Sequence, residues 1–311
     1  MEYFIAIDSG GTKTDTVLFD ETGHILHRDL SKGCNAMDIG TEEAKRRMWD
    51  ILQRVEPIAP KPVKAIFGGV AGTDYFGDFL AEYVRPMMKA ERMHIEDDGW
   101  NLISGALGRV DGCSMVCGTG SSLFVRKDGK LVKHIGGRGY LIDTGGSGFE
   151  LGQAAIRTAL RAIDGRGEPT VLVELVAQQM GVDVVSGMCE VYTRGRAYIA
   201  SFARCVFIGR EMGDRLCHEI IDRAATQLAE LTWAAEKCFT GEFTVAMGGG
   251  IFAAYPEFVE LVKAKASRHA RMVCADVPPV FGAAVEALAD GGFECTEEVK
   301  ARFLADYADL K

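Results

Sequence analysis

Hydrophobic residues in the first hundred positions alternate between short β-prone runs and amphipathic stretches. Runs at 3–7, 14–20 and 24–30 are separated by turn residues and predict three consecutive antiparallel strands. Thr41 is predicted to cap a helix to about Val55, since acids fill its first turn. The next predicted elements are a buried strand at 63–70, a helix from about Asp74 to Met88, a strand at 93–95 and a helix carrying Leu102 to Leu107. This order predicts a mixed sheet with helices on its faces.

The same order of elements begins again near Asp111. Runs at 114–117, 123–126 and 130–132 repeat the three strands, and a glycine turn follows the first two in each half. A repeat of a whole supersecondary unit predicts two similar halves. We therefore expect a first domain at 1–110 plus 291–311 and a second domain at 111–290.

Helical patterns dominate the rest of the second half. Ser147 and Glu150 have the spacing of a capping box and predict a helix to about Ile163. The other predicted elements are a helical insert at 168–210, a periodic helix at 214–238, a strand at 243–247, a helix from Pro256 to about His269 and two helices, after Pro279 and across 296–308.

A glycine-rich turn connects the first two strands of each half. The turns are Gly10-Gly11-Thr12-Lys13 and Gly118-Thr119-Gly120. Residues without a Cβ let backbone N–H groups approach a ligand, and consecutive N–H groups form a nest for anions. Thr12 and Thr14 add hydroxyl donors, and Lys13 adds a cation. Two hairpins with Gly-rich turns are the alternative, but the repeat favours two phosphate-binding turns that share one nucleotide.

Two carboxylates stand where strands are predicted to end. Asp8 precedes the first glycine turn and suits Mg²⁺, which prefers oxygen ligands and water. Asp98, with Asp97 beside it, lies between a strand and a helix, where side chains project into the ligand crevice of open α/β sheets. A carboxylate there can accept the proton of an attacking hydroxyl. The alternative for this pair is N-capping of the helix, where Asp is favoured in any protein.

A third glycine cluster, Gly248-Gly249-Gly250, joins a predicted strand to a helix. Its lack of side chains would admit an adenine ring or a ribose, and the alternative is a tight strand–helix turn. Neither a GxxxxGK[ST] loop nor a GxGxxG fingerprint occurs, so the sequence supports neither a P-loop nor a Rossmann fold.

Composition restricts the partners. The 311 residues carry a net charge of −9, which disfavours nucleic acids and anionic membranes. Nine scattered cysteines, the lack of a signal peptide and the lack of a long apolar run predict a reduced, cytoplasmic protein. Cys113 and Cys117 share one strand face and are expected in the core. Apolar stripes on the later helices are consistent with either core packing or a homodimer.

Taken in order, these motifs resemble the N-acetylglucosamine kinase-like, BadF/BadG/BcrA/BcrD-type branch of the actin-like ATPase and sugar kinase superfamily. Residues 8–14 resemble its first phosphate motif, 117–121 its second, 136–141 its sugar-side loop and 247–250 its adenosine motif. The resemblance implies two ribonuclease H-like domains, each a mixed five-stranded sheet flanked by helices, with a nucleotide cleft between them. It implies an ATP- and Mg²⁺-dependent sugar kinase.

The resemblance also implies roles for individual residues. Asp98 would be the base for a sugar hydroxyl, most simply the 6-hydroxyl, and Asp8 would hold Mg²⁺ through water. The phosphates would face both glycine turns, and the adenosine would face residues 248–250. The sugar contacts would come from Asn35, Gly72, Asp98, Thr119, Gly137 and Asp143.

One position departs from the family pattern. An acidic pair usually precedes Gly-Ser after the sugar-side loop, whereas this chain has Thr144-Gly145, with Asp143 one position earlier. This change leaves the acceptor sugar open. Two alternative functions stay open: an ATPase that drives a partner protein, which the resemblance to the wider family implies, and a sugar-binding regulator without catalysis, which this change supports. The first is disfavoured because no cysteine for an iron–sulfur cluster occurs from Asp143 to Gly152.

Overall fold

The structure is a computed structural model that describes residues 1–143 and 145–310. The chain divides into two compact units. Unit 1 consists of Met1–Gly112, Arg126–Lys130 and Cys274–Lys311, and unit 2 consists of Cys113–Val125 and Leu131–Val273.

Unit 1 is built on a five-stranded sheet. Its elements up to residue 107 are β1 (Tyr3–Ser9), β2 (Lys13–Asp20), β3 (Ile25–Lys32), α1 (Ala36–Ile39), α2 (Thr41–Val55), β4 (Ala65–Val70), α3 (Phe79–Val84), β5 (Arg92–Glu96) and α4 (Gly99–Leu107). The strand order is β3-β2-β1-β4-β5, with β1 antiparallel to β2 and parallel to β4. The prediction of a mixed sheet with three leading antiparallel strands is confirmed.

The carboxyl ends of β1, β4 and β5 meet at one edge of this sheet, because the three strands run parallel. Asp8 pairs in register with Gly69, and Gly69 pairs with Glu96. Strand β1 reads as a continuous apolar run because Phe4 and Ile5, whose side chains lie on opposite faces of the sheet, are both fully buried. Residues that leave these three strands are therefore brought together at the edge where α/β sheets bind ligands.

Unit 2 holds a second five-stranded sheet and most of the helices. The elements from residue 112 to 274 are β6 (Gly112–Cys117), β7 (Ser121–Lys127), β8 (Lys130–Ile135), α5 (Gly148–Ile163), α6 (Leu172–Met180), α7 (Met188–Ser201), α8 (Ala203–Glu211), α9 (Arg215–Glu236), β9 (Phe243–Gly248), α10 (Gly250–Ala254), α11 (Pro256–Lys265) and β10 (Ala270–Cys274). The strand order is β10-β9-β6-β7-β8, and β6 is parallel to β9. The predicted helical insert forms α6, α7 and α8.

The last two helices are α12 (Pro279–Asp290) and α13 (Glu297–Asp309). Helix α12 packs against α4, β1 and β4, and its residues from Val280 to Leu288 are buried. A helix that is covered on all sides must lie inside a layered core. Residues 274–290, which the sequence repeat assigned to the second domain, therefore group with unit 1 in the structure.

Three predicted boundaries are wrong. The helix from Pro256 ends at Lys265 and is followed by β10, an edge strand whose mixture of exposed and half-buried residues resembles a helix end in sequence. Between residues 74 and 88 only α3 is α-helical, flanked by 3₁₀ turns at Thr73–Tyr75 and Arg85–Met87. Thr41 is the first residue of α2, and Gly40 occupies the cap position without a side-chain hydrogen bond.

None of the nine cysteines, all of which lie among the described residues, forms a disulfide bond. Cys113 and Cys117 belong to the apolar core of unit 2, as their period-two spacing predicts. Within the described residues, no helix combines the length and the apolar character that crossing a bilayer would require.

Candidate active site

The first glycine turn lies between β1 and β2 in unit 1. Gly10 N–H donates to the Lys13 carbonyl at 3.0 Å, which closes the turn, and residues 11–13 are exposed. The exposed part therefore offers the backbone of the turn, the hydroxyl of Thr12 and the ammonium of Lys13 to a ligand from solvent. This is the arrangement expected of an anion-binding nest.

Thr14 has a structural role, contrary to the prediction that its hydroxyl would face a ligand. It is fully buried, and its Oγ1 donates to the carbonyl of Lys32 at 2.9 Å. Ser9 Oγ lies 2.7 Å from Thr14 Oγ1 and accepts from the N–H of Cys34 at 3.0 Å. The two hydroxyls hold the end of β3 against the turn. The hydroxyl of Thr12 is therefore the one that is left to bind an anion.

Asp8 is the second-last residue of β1 and lies beside this turn. Its Oδ1 accepts a hydrogen bond from Nδ2 of Asn101 at 2.8 Å. Burial raises the pKa of Asp8 to about 6, against the opposing hydrogen bond from Asn101 and the opposing charge of Lys13. The carboxylate is therefore held in a place where a bound cation would stabilise its charged form.

Asp97 and Asp98 lie between β5 and α4. The buried Asp97 accepts from the N–H of Gly99 through Oδ1 and from the N–H of Gly72 through Oδ2, both at 3.3 Å. Asp98 occupies the N-cap position of α4, but its side chain makes no capping hydrogen bond. The capping alternative therefore applies to Asp97 and not to Asp98.

Burial raises the pKa of Asp98 well above the usual carboxyl range, and the neighbouring charges of Asp97 and Asp8 raise it further. A general base works best when its pKa is close to the working pH. The environment of Asp98 therefore shifts its pKa in the direction that proton abstraction from a hydroxyl requires.

Asn35 and Gly72 are neighbours of this pair. Asn35 caps the short helix α1, with Oδ1 accepting from the N–H of Met37 at 2.9 Å. Gly72 has a left-handed φ of 85°, and a Cβ there would lie 2.7 Å from Asn35 Oδ1. Because Gly72 also donates to Asp97, unit 1 brings two of the groups assigned to the sugar, Asn35 and Gly72, close to Asp97, the neighbour of Asp98 in the sequence.

The second glycine turn joins β6 to β7 in unit 2. The carbonyls of Gly118 and Thr119 accept from the N–H groups of Gly148 and Phe149, at 2.8 and 3.1 Å. These are first-turn N–H groups of α5, which otherwise lack helical partners. The turn, including Gly120, is half-buried. The carbonyls of Gly118 and Thr119 therefore point towards the start of α5, and these two hydrogen bonds fix the conformation of the turn.

The third glycine cluster lies against this turn. Gly249 has a φ of 107°, and a Cβ there would lie 2.4 Å from the carbonyl oxygen of Cys117. A Cβ at Gly118 would lie 3.9 Å from the nitrogen of Gly250, and Gly248 is paired with Val116. Unit 2 therefore places the second phosphate motif and the proposed adenosine motif side by side.

The sugar-side loop leads from β8 to α5. Gly136, Gly137 and Gly139 all have left-handed φ values, and Gly139 forms an isolated bridge with Asp143. A cavity of about 380 Å³ in unit 2 opens beside this loop. Its polar lining includes Asp143, Glu150, Gln153, Gln227 and Glu230. Thr144 lies outside the described residues, so the departure at that position has no structural account.

Glu150 supplies a carboxylate a few residues after Thr144-Gly145, where the sequence departs from the family pattern. Its Oε2 accepts from the N–H of Gly146 at 2.7 Å, and its Oε1 accepts from Gln227 Nε2 at 3.0 Å. Ser147 caps α5 by accepting from the N–H of Glu150 at 3.2 Å. The predicted capping box is confirmed on the serine side, whereas the glutamate reaches the residue before the cap and faces the cavity.

Comparison with protein families gives a match over residues 5–287 to the BadF/BadG/BcrA/BcrD ATPase family. The match covers most of the 311 residues. The chain belongs to this family.

Named relatives of this BadF/BadG/BcrA/BcrD family member are sugar kinases. An N-acetylmuramic acid/N-acetylglucosamine kinase of Clostridium acetobutylicum is 27% identical over 241 residues, 73% of this chain and 77% of the relative. An N-acetyl-D-glucosamine kinase of Dictyostelium discoideum is 28% identical over 249 residues, 74% of this chain and 78% of the relative. A glucosamine kinase of Vibrio cholerae is 27% identical over 233 residues, 73% and 78% of the two chains.

Solved structures agree in fold. A Chromobacterium violaceum protein, solved as a candidate N-acetylglucosamine kinase, superposes with a TM-score of 0.73 at 24% identity and covers 91% of this chain and 98% of its own. A ROK family glucokinase from Streptomyces griseus, in complex with glucose and AMPPNP, has a TM-score of 0.57 at 16% identity and covers 92% and 98%. The expected architecture, two mixed five-stranded sheets flanked by helices, is confirmed.

Two side chains of this family member have places in the site that the sequence did not indicate. Asn101 is fully buried in the first turns of α4 and contacts Asp8, although its position in an apolar helix suggests only core. The sequence indicates Glu150 only as half of a capping box, whereas in the structure it lines the cavity. The polar residue at a buried position of α4 is the one signal that points to Asn101.

A magnesium ion at this site would need ligands from a bound substrate as well as from the protein. Among the described residues, no group of three or more His, Cys, Asp or Glu side chains is arranged to hold a metal ion. Mg²⁺ commonly keeps several waters and binds through one or two carboxylates plus substrate phosphates. Asp8 would supply the carboxylate, and the adjacent anion-binding turn would hold the phosphates. The residues present are therefore compatible with Mg²⁺ that binds together with a nucleotide.

Proposed function

We propose that this protein is an ATP-dependent kinase that transfers the γ-phosphoryl group of ATP to a hydroxyl of an amino sugar, such as N-acetylglucosamine, or of a related hexose. Membership of the BadF/BadG/BcrA/BcrD ATPase family and the names of three curated relatives support the reaction class. The observation that carries the proposal is Asp98, a carboxylate at a helix start that caps nothing and has a raised pKa.

In this mechanism Asp98 accepts the proton of the sugar hydroxyl, for which we propose the 6-hydroxyl, as its oxygen attacks the γ-phosphorus. The bond from the γ-phosphorus to the β–γ bridging oxygen breaks, and ADP leaves with the electron pair. We assign phosphate contacts to Gly10, Gly11, Thr12 and Lys13 and to Gly118, Thr119 and Gly120. We assign adenosine contacts to Gly248, Gly249 and Gly250.

Asp8 would hold Mg²⁺ through water. When bound, the ion would neutralise charge on the transferring phosphoryl group. Asp8 fits this role because it is a single carboxylate next to an exposed Gly-Thr-Lys turn. With a pKa of about 6, Asp8 would be mostly ionised near neutral pH, and because burial makes that charge unfavourable, a bound cation and its waters would stabilise it.

We assign the sugar to polar groups from both sequence halves, namely Asn35, Gly72, Thr119, Gly137 and Asp143. The cavity beside Gly137 has a volume of about 380 Å³, within the range of small-molecule pockets. Glu150 and Gln227 line it and would replace the carboxylate that Thr144-Gly145 lacks. A lining rich in carboxylates and amides suits the hydroxyl donors of a sugar.

The test is a transfer assay with ATP, Mg²⁺ and a panel of N-acetylglucosamine, glucosamine, N-acetylmuramic acid, glucose and N-acetylmannosamine. Mass spectrometry would identify the sugar phosphate, and ³¹P NMR would identify the phosphorylated oxygen. We expect at least one sugar phosphate in stoichiometric balance with ADP. ADP formation without any sugar phosphate would reject the kinase and favour an ATPase. The homodimer stays a prediction, which light scattering on the purified protein tests.

A further inference from the structure

The side chain of Asn101 is fixed at the edge of the unit 1 sheet. Its Nδ2 lies 2.8 Å from Asp8 Oδ1, 3.2 Å from the carbonyl oxygen of Ile7 and 3.5 Å from that of Gly69. Three oxygen atoms around one nitrogen determine which end of the amide points at the strands. The side chain itself is fully buried.

Strand β4 has a glycine where Asn101 enters. A Cβ at Gly69 would lie 2.3 Å from Asn101 Nδ2, closer than any real contact. Gly69 is also the residue paired in register with Asp8. The amide can therefore reach Asp8 only because its neighbour on the next strand has no side chain.

The same asparagine belongs to the helix that presents Asp98. The N–H of Asn101 donates to the carbonyl of Asp98 at 3.1 Å in the first turn of α4. One residue thus connects the two carboxylates to which the proposed kinase mechanism assigns magnesium binding and proton abstraction. A change in its side chain leaves the backbone connection to Asp98 and removes the contacts of the amide with Asp8, Ile7 and Gly69.

The two carboxylate oxygens of Asp8 have different hydrogen-bonding environments. Oδ1 is engaged by Asn101, whereas no hydrogen bond from the described residues reaches Oδ2. We propose that Asn101 is a positioning residue that holds Asp8 by Oδ1 so that Oδ2 faces the hydrated magnesium ion. This inference rests on the proposed function only in that the metal is taken to bind together with a nucleotide. Binding of that metal can be measured without any sugar.

A purely structural role for Asn101 is the competing explanation. Its own Oδ1 is buried and has no hydrogen-bond partner in the described part of the chain, which costs stability. A residue present only for packing would be better replaced by an apolar one. Stability alone therefore does not explain an amide at this position, whereas the need to orient a metal-binding carboxylate does.

The experiment compares Asn101→Ala with a matched variant, Ser104→Ala, in the full-length protein. Ser104 is buried one turn further along α4 and hydrogen-bonds to Arg126 and Glu286, away from Asp8. Mn²⁺ binding is measured by electron paramagnetic resonance in the presence of ADP, and thermal unfolding is measured in parallel. Loss of a residue that orients a metal ligand typically lowers metal affinity by about 10- to 100-fold.

We expect that loss for Asn101→Ala, a wild-type affinity for Ser104→Ala, and no further loss when Asn101→Ala is added to Asp8→Asn. Wild-type Mn²⁺ affinity in Asn101→Ala, or an equal loss in the Asp8→Asn background, would overturn the positioning role. Should Asn101→Ala not fold, Asn101→Ser provides the same test, because its hydroxyl is too short to reach Asp8. A wild-type protein that phosphorylates no sugar, while Asn101→Ala still weakens Mn²⁺ binding, would reject the kinase and support the positioning role.

Discussion

Arg126 of β7 and Glu286 of α12 form a buried ion pair, with 3.1 Å between Nη1 and Oε1 and side-chain exposures of 1% and 3%. Ser104 of α4 bonds to both partners, and the guanidinium of Arg126 lies 4.6 Å from the ring centroid of Trp100. These contacts join α4, α12 and the end of β7 within unit 1. The helix that presents Asp98 is thus anchored, within two turns of that residue, by charged groups that water does not reach.

Glu286→Gln is predicted to destabilise unit 1 by about 3–5 kcal/mol, because it leaves the guanidinium of Arg126 buried without a counter-charge. Urea unfolding followed by circular dichroism measures the difference. The control is Asp164→Asn, which removes a partner of Arg166 from an exposed ion pair and should leave the midpoint unchanged. Equal midpoints for Glu286→Gln and the wild type would contradict the prediction.

Asp98→Asn is predicted to lower kcat for sugar phosphorylation by about 10²–10⁴-fold, the usual contribution of a general base. Nucleotide affinity should be retained, since the change is assigned to the acceptor hydroxyl. Steady-state kinetics and calorimetric titration with ADP separate the two effects. The matched control is Glu96→Gln, an exposed carboxylate at the end of β5, which should keep wild-type kcat. Wild-type turnover in Asp98→Asn would remove Asp98 from the mechanism.

The raised pKa values predict how activity depends on pH. Asp98 must be ionised to accept a proton, so kcat/KM should rise with pH and level off only above the usual carboxyl range near 4. A pH–rate profile of the wild type tests this. An acidic limb that levels off below pH 5 would show that no carboxylate with a raised pKa controls the reaction.

The pKa of Asp8 also predicts how stability depends on pH in metal-free protein. Its folded-state pKa is about 6, above the ordinary value near 4, so ionised Asp8 destabilises the folded state as pH rises through this window. Asp8→Asn should therefore raise Tm at pH 8 in EDTA and have little effect at pH 4.

Asp29 provides a control of opposite sign. Although burial raises its pKa, hydrogen bonds from Arg54 and Ser31 lower it overall. Asp29→Asn should therefore lower Tm at pH 8. A similar shift in Tm for both variants would mean that charge at Asp8 is not the cause.

Two neighbouring glycines of the adenosine motif should respond differently to alanine. Gly249→Ala places a Cβ 2.4 Å from the Cys117 carbonyl at a φ of 107°, and backbone strain alone costs about 1–3 kcal/mol. A Cβ at Gly250 meets nothing within 4 Å. We expect Gly249→Ala to lower Tm, and Gly250→Ala to keep Tm while weakening ATP binding. An unchanged ATP affinity in Gly250→Ala would place the adenosine elsewhere.

The sequence by itself determined the parts of this protein that depend on local chemistry. The repeated strand–turn–strand pattern predicted both mixed sheets, because β-prone runs and glycine turns can each be recognised from a short stretch of sequence. Ser147 predicted the start of α5, since a cap needs only residues three positions apart. The position of Asp98 between β5 and α4 was also a local property.

Only the tertiary structure decided which groups meet across the sheet and which face water. It assigned the capping role to Asp97 instead of Asp98 and buried the hydroxyl of Thr14 beneath β3. It brought Asn101 to Asp8, a contact between residues 93 positions apart that requires Gly69 to lack a side chain. Strand β10 likewise became a strand through pairing with β9, because an edge position, and not its own composition, determined its conformation.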